Sequence, residues 1–173
     1  MEQFWVFGYG SLMWRPGFPH VLAEPARING YHRSLCVYSH VHRGTPGEPG
    51  LVLGLDRGGS CHGMAFAVES VLWEETLAYL RAREQVTSVY LERRQPVTLL
   101  GSSRSVEAVT FIVDRAHLQY AGKLDDDERE RHVRHGVGIS GHCTEYVMNT
   151  VAHLRAMNIH DPALERLAAK LAP

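Results

Sequence analysis

The residues Phe4-Trp5-Val6-Phe7 run without interruption into Gly8-Tyr9-Gly10-Ser11-Leu12-Met13-Trp14. Four consecutive bulky apolar residues that end on two alternating glycines predict a strand buried on both faces that leaves the sheet through a tight main-chain turn. With no Cβ at Gly8 or Gly10, the N–H groups of Tyr9, Gly10, Ser11 and Leu12 are able to turn toward one point, and a ligand is able to approach the backbone closely. A carboxylate or an oxyanion suits such a turn, although an ordinary tight turn accounts for the same residues. It is not a dinucleotide fingerprint, because the third glycine and the helix it would open are missing. Nor is it a phosphate loop, because no Gly-Lys-Ser/Thr follows.

The rest of the chain narrows the class further. At 173 residues it is expected to form one domain, residues 1–173, with a core large enough to stand without metal or disulfide support. A net charge of −1 gives no general attraction to nucleic acid or to an anionic membrane. No apolar run approaches the length of a membrane span, and Met1-Glu2-Gln3 leads directly into the first strand. These features predict a soluble cytoplasmic protein. Cys36, Cys61 and Cys143 form no Cys-x-x-Cys pair and no even set, so reduced thiols are expected.

After the opening turn, residues 15–24 read as an irregular covering segment, and residues 31–40 as a strand with β-formers in rough alternation. Val41 to Gly50 carries three glycines and two prolines and reads as a loop. Arg43 stands in that loop as a cation with no regular structure to occupy it. Leu51 to Leu55 and Gly63 to Val68 flank Asp56-Arg57-Gly58-Gly59, the pattern of a β-hairpin. The period then becomes helical: Ser70 is placed to cap, Glu74 and Glu75 fall in the first turn, and Leu72, Thr76, Leu77 and Leu80 share a face. The helix gives way near Gln85 to a β-like run from Val86 to Leu91, which puts Glu84 at a helix-to-strand corner.

Strand character resumes from Val89 to Leu100, with Pro96 marking an edge, and again from Val106 to Val113. The last third is helical. Asp125 to Glu128 gives an acidic helix start, and Gly136, Gly138 and Gly141 break the chain. Tyr146, Val147, Thr150, Val151 and Leu154 line one face, and Asp161-Pro162 opens a closing helix. The order of elements predicts an α+β fold: a small, mixed, largely antiparallel β-barrel or curved sheet with flanking helices.

Few side chains stand out as chemical candidates. His132 and His135, at i and i+3, supply only two ligands and read as a solvated pair rather than a metal site. Cys36 and Cys61 lie in strand patterns and read as small core hydrophobes. Ser11 lies in no nucleophile elbow and needs a base beside it to act. Glu84 differs, because a carboxyl buried at the end of an apolar helix face is held neutral to higher pH and becomes useful for proton transfer. The plainer alternative makes it an ion-pair partner of Arg81, Arg83 or Arg93.

Four blocks, in order, resemble the ChaC family of γ-glutamylcyclotransferases: Trp5 to Trp14; His42-Arg43-Gly44-Thr45 with Pro49-Gly50; Tyr79-Leu80-x-x-Arg83-Glu84; and Ser140-Gly141-x-x-x-Glu145-Tyr146. The similarity runs from about residue 4 to residue 170. It implies an α+β fold with a barrel, and cleavage of glutathione to 5-oxoproline and cysteinylglycine without a cofactor, metal or nucleotide. It also implies a substrate loop over Val6, Phe7, Gly8, Tyr9, Gly10 and Ser11, extended here to Leu12, and a proton acceptor at Glu84. Arg43 would then pair with the glycine carboxylate of the tripeptide, and Tyr146 would hydrogen-bond near Glu84. Where relatives commonly carry Pro-Ser-Gly-Arg-Asn, this chain has Ile139-Ser140-Gly141-His142-Cys143. The alternatives are a cyclotransferase for other γ-glutamyl amino acids or γ-glutamylamines, a non-catalytic γ-glutamyl-binding module, and a protein-interaction helix built on the acidic run Asp125 to Glu130.

Overall fold

The computed structural model describes residues 2–85 and 88–173. Its main sheet is a closed barrel of five strands in the order β1 (Gln3–Gly8), β3 (Gly50–Glu69), β2 (Leu22–Ser39), β4 (Tyr90–Leu99) and β5 (Ser105–Val113). The β1–β3, β2–β4 and β4–β5 pairs are antiparallel, and closure is made by a short parallel pairing of Trp5 and Val6 with Ala108 and Val109. The helices are α1 (Trp73–Glu84), α2 (Asp126–His135), α3 (Cys143–Ala156) and α4 (Pro162–Leu171), and a two-stranded turn pairs β6 (Val137–Gly138) with β7 (Gly141–His142). The expected α+β barrel with flanking helices is the observed fold.

The chain groups into two compact units, Met1–Arg33 with Leu55–Asp114, and Ser34–Gly54 with Arg115–Pro173. In the first, β1 is buried on both faces, as its unbroken apolar run requires: Trp5, Val6 and Phe7 are 6%, 0% and 1% exposed. Val6 joins Val68, Phe66, Val109 and Phe111 in a cluster closed by Trp73, Leu77 and Leu80 from α1. Each such side chain contributes about 1.5–3 kcal/mol on burial, so this face is what holds α1 to the barrel. Thr76 shares the buried face, while Leu72 precedes the helix in a 3₁₀ turn, Ser70–Leu72, and is only partly buried. Ser70 does not cap; Glu74 and Glu75 occupy the first turn. Pro96 pairs with Glu107 next to Val97, the point at which pairing of β4 with β2 ceases, so its missing N–H breaks no ladder there.

Two expectations are corrected in this unit. The strand expected from Tyr31 begins at Leu22, and the hairpin expected at Asp56 to Gly59 is absent: residues 50–69 form one continuous strand. Gly58 and Gly59 do take left-handed φ values of 101° and 67°, as a hairpin turn would. Here the strand continues through them from Gly50 to Glu69, and β1 pairs only with its Met64–Glu69 end. Of the β-like run expected from Val86 to Leu91, Val86 and Thr87 lie outside the described residues, and β4 starts at Tyr90.

In the second unit α2 has the acidic start that the sequence predicts, with Asp125 capping it through a reciprocal pair with Glu128, and Asp161 caps α4 ahead of Pro162 as expected. Val147, Thr150, Val151 and Leu154 are buried along α3. Gly136 breaks the chain where the loop 40–49 crosses it, since a Cβ at Gly136 would lie 2.6 Å from the Gly50 Cα. His132 is not merely a solvated face residue, because its Nδ1 stands 2.9 Å from the Pro49 carbonyl oxygen. Cys36, Cys61 and Cys143 are buried and take part in no disulfide among the described residues. Among the described residues, no helix is long and apolar enough to cross a membrane, and no three His, Cys, Asp or Glu side chains cluster as metal ligands.

Candidate active site

The opening turn and the end of α1 meet within the first unit. Past Gly8 the chain enters a 3₁₀ turn, Ser11–Met13, with Gly10 at φ −132° and ψ −132°. Met13 N–H donates to the Gly10 carbonyl (2.9 Å) and Arg15 N–H to that of Ser11 (2.8 Å). The N–H groups of Gly10, Ser11 and Leu12 precede the first bond of that turn and meet no protein acceptor among the described residues. Ser11 is exposed and Gly10 half-buried, whereas the Val6, Phe7, Tyr9 and Leu12 side chains are in the core. These four therefore have only backbone atoms to offer a ligand, and Tyr9 has its carbonyl already engaged by the Arg33 Nε–H at 2.7 Å.

The turn is braced from beneath. Arg33, itself buried, donates to the Tyr9 and His62 carbonyls, the second at 2.6 Å, and buried Thr110 donates to the Phe7 carbonyl at 3.1 Å. Gly63 lets β3 pass directly under the turn, since a Cβ there would fall on the Gly8 carbonyl oxygen and 2.8 Å from the Phe7 ring. Arg33 is a bracing residue that the sequence reading did not single out.

Glu84 is the last residue of α1, and its side chain is 18% exposed. Burial pushes its carboxyl above the usual glutamate range, and the Arg83 charge opposes this only in part. Of the ion-pair alternatives, Arg83 is the one within reach, and it coexists with the burial. Arg81 is committed to Glu92 in a bidentate pair (3.1 and 3.0 Å). The Arg83 Nε lies 3.8 Å from Glu84 Oε1, beyond hydrogen-bond length. Ser11 Oγ receives a hydrogen bond from Arg83 Nη2 at 2.9 Å. A guanidinium has no lone pair with which to take the hydroxyl proton, so this contact does not make Ser11 a nucleophile.

Arg43 and Tyr146 belong to the second unit. Arg43 is not the unoccupied cation its loop predicted: Nη1 donates to the His142 carbonyl (3.0 Å) and stands 4.0 Å from Glu145 Oε2, with the guanidinium 5.7 Å from the centre of the Tyr146 ring. The Tyr146 hydroxyl accepts the Leu53 N–H at 3.0 Å. Nearby, the Cys143 thiol donates to the Leu51 carbonyl, and burial holds its pKa up.

This architecture is that of the γ-glutamyl cyclotransferase fold. A selenomethionine-labelled crystal structure of the yeast γ-glutamyl cyclotransferase specific to glutathione superposes with a TM-score of 0.85, covering 99% of this chain and 96% of that one at 23% identity. The family model described as ChaC-like protein matches residues 4–172, and the chain belongs to that family. Among its relatives, the Glutathione-specific gamma-glutamylcyclotransferase of Escherichia coli K12 is 30% identical, over 94% of this chain and 70% of its own length. Glutathione-specific gamma-glutamylcyclotransferase 1 of Danio rerio is 33% identical, over 98% and 89% respectively.

Proposed function

We propose that the protein is a glutathione-specific γ-glutamylcyclotransferase, releasing 5-oxoproline and cysteinylglycine with Glu84 as the proton carrier. The observation that carries the reading is a carboxyl shielded from water at the end of α1 and linked through Arg83 to the glycine turn. The names of the family relatives support the substrate.

The chemistry suits these residues. In a γ-glutamyl amide the α-amine and the γ-carbonyl belong to one unit, and attack of the first on the second closes a five-membered lactam without a protein nucleophile. Holding the two as a near-attack pair accounts for about 7 kcal/mol or more of the barrier. The α-ammonium carries three protons and the lactam nitrogen keeps one, so two pass to the departing cysteinyl nitrogen as the new C–N bond forms and the old one breaks. Glu84 relays them, and a site that favours its neutral form makes it an effective donor in the second half of the reaction. The Gly10, Ser11 and Leu12 N–H groups are the donors for the glutamyl carboxylate or the developing oxyanion. The proposed route calls on no metal or nucleotide. A cytoplasmic enzyme would work where glutathione maintains reduced thiols.

The test is a comparison of glutathione with a γ-glutamyl dipeptide and a γ-glutamylamine, reading 5-oxoproline. Turnover of glutathione well above the others is expected, and equal turnover of all three would make the enzyme a general cyclotransferase. The kcat/KM profile should rise through an acid limb lying above the ordinary glutamate range, because desolvation raises Glu84. Valine at Gly10 is expected to reduce kcat/KM for glutathione by about tenfold or more with little change in melting temperature, because its side chain crowds the approach to the N–H donors. Unchanged constants would show the turn to be ordinary.

A further inference from the structure

The geometry points to Arg83 as the positioning residue that holds the Ser11 turn and the Glu84 carboxyl in one frame, an assignment that rests on Glu84 carrying the proton. The guanidinium directs both terminal nitrogens at the segment following the glycine turn. Nη2 donates to Ser11 Oγ at 2.9 Å, and Nη1 to the carbonyls of Arg15 (2.6 Å) and Pro16 (3.2 Å). Nη1 also donates to the Tyr79 hydroxyl, one turn back on α1, at 3.0 Å. The third nitrogen, Nε, is the one that stands 3.8 Å from Glu84 Oε1. A guanidinium is planar and stiff, so the spacing between turn and carboxyl is fixed by one rigid group.

The segment is docked on the helix by more than this fork. Gly17, at φ +75°, leaves room for the Tyr79 hydroxyl, and the Phe18 ring, 6% exposed, meets the Tyr79 ring edge-on at 6.4 Å. Every hydrogen bond described for the Arg83 guanidinium goes to a neutral oxygen. Among the described residues none of these bonds reaches a carboxylate, and the charge acts on Glu84, 3.8 Å away, where it opposes the effect of burial. Arg83 thus has two separable effects: its fork sets position, and its charge sets the proton affinity of the neighbouring acid.

Substitution separates them. Arg83→Met and Arg83→Lys in the full chain are assayed with glutathione across pH, with melting temperature measured alongside and Glu84→Gln as control. Arg83→Met is expected to lose about 10- to 100-fold in kcat/KM, with its acid limb moved to higher pH because the opposing charge is gone. Arg83→Lys keeps the charge but not the fork. Its acid limb should stay at the wild-type position while kcat/KM remains reduced, a split that a merely structural arginine would not produce. An unmoved limb in a folded Arg83→Met, or full wild-type kcat/KM in Arg83→Lys, would overturn the assignment. Should Arg83→Met not fold, the Lys variant decides alone by the same criterion. Turnover retained by Glu84→Gln would remove the proton carrier itself, whereas an inactive Glu84→Gln beside a wild-type-like Arg83→Met would remove only the clamp.

Discussion

Replacing Glu84 by glutamine is expected to lower 5-oxoproline release by at least about 10²-fold, the usual contribution of a positioned acid–base group. The amide keeps the size and shape of the side chain, so the apolar face of α1, carried by Trp73, Leu77 and Leu80, stays packed. What the amide lacks is the ability to take protons from the α-ammonium and return them to the departing nitrogen. Stability should move in the opposite direction. Because burial raises the Glu84 pKa in the folded chain, the folded state binds more protons than the unfolded one between the ordinary glutamate pKa and the raised value. Wild-type stability therefore falls as pH rises through that window and stays lower above it. Thermal melts of the two proteins should show Glu84→Gln at or above wild type at neutral pH, with the gap closing below about pH 4, where both states hold the proton. A variant that stays active, or one that melts well below wild type at pH 7, contradicts the buried proton carrier.

The second large effect is expected at Gly63, which the opening stretch gives no reason to notice. An alanine Cβ there would land on the Gly8 carbonyl oxygen and press on the Phe7 ring, at the end of the β1–β3 register where Gly8 faces Met64. Neither backbone nor a fully buried ring yields easily, so Gly63→Ala should cost about 1–3 kcal/mol. For a chain of this length that is a fall in melting temperature of roughly 3–10 °C. The Gly8 carbonyl leads directly into the Gly10–Leu12 donors, so KM for glutathione should rise as well. An unchanged melting temperature would mean that β3 does not run beneath the turn as described.

These two positions also mark what was legible in the sequence. The double-sided burial of β1 follows from four adjacent apolar residues, and Glu84 falls at the end of α1 because helical periodicity ends there; both are local signals. The identity of α2 and α4 likewise rests on local caps, Asp125 with Glu128 and Asp161 with Pro162. The failures were non-local. Gly58 and Gly59 carry the φ values of a hairpin, yet the chain runs on through them as one strand, and whether such a pair reverses the chain depends on pairing that local sequence does not show. Arg33 is buried against the Tyr9 and His62 carbonyls, 24 and 29 residues away in the chain, which no window of sequence reveals. Arg43 looked free because the carbonyl that occupies it, that of His142, lies 99 residues further along the chain.

The claim on which the rest depends is that the γ-glutamyl amine itself attacks, with Glu84 moving the protons. Turnover of glutathione in water enriched in oxygen-18, analysed by mass spectrometry, tests it directly. Cyclisation predicts 5-oxoproline and cysteinylglycine in equal amounts, with no heavy oxygen in the 5-oxoproline and neither product above background with Glu84→Gln. Labelled glutamate as the product would mean that water, not the amine, is the nucleophile, and would contradict it.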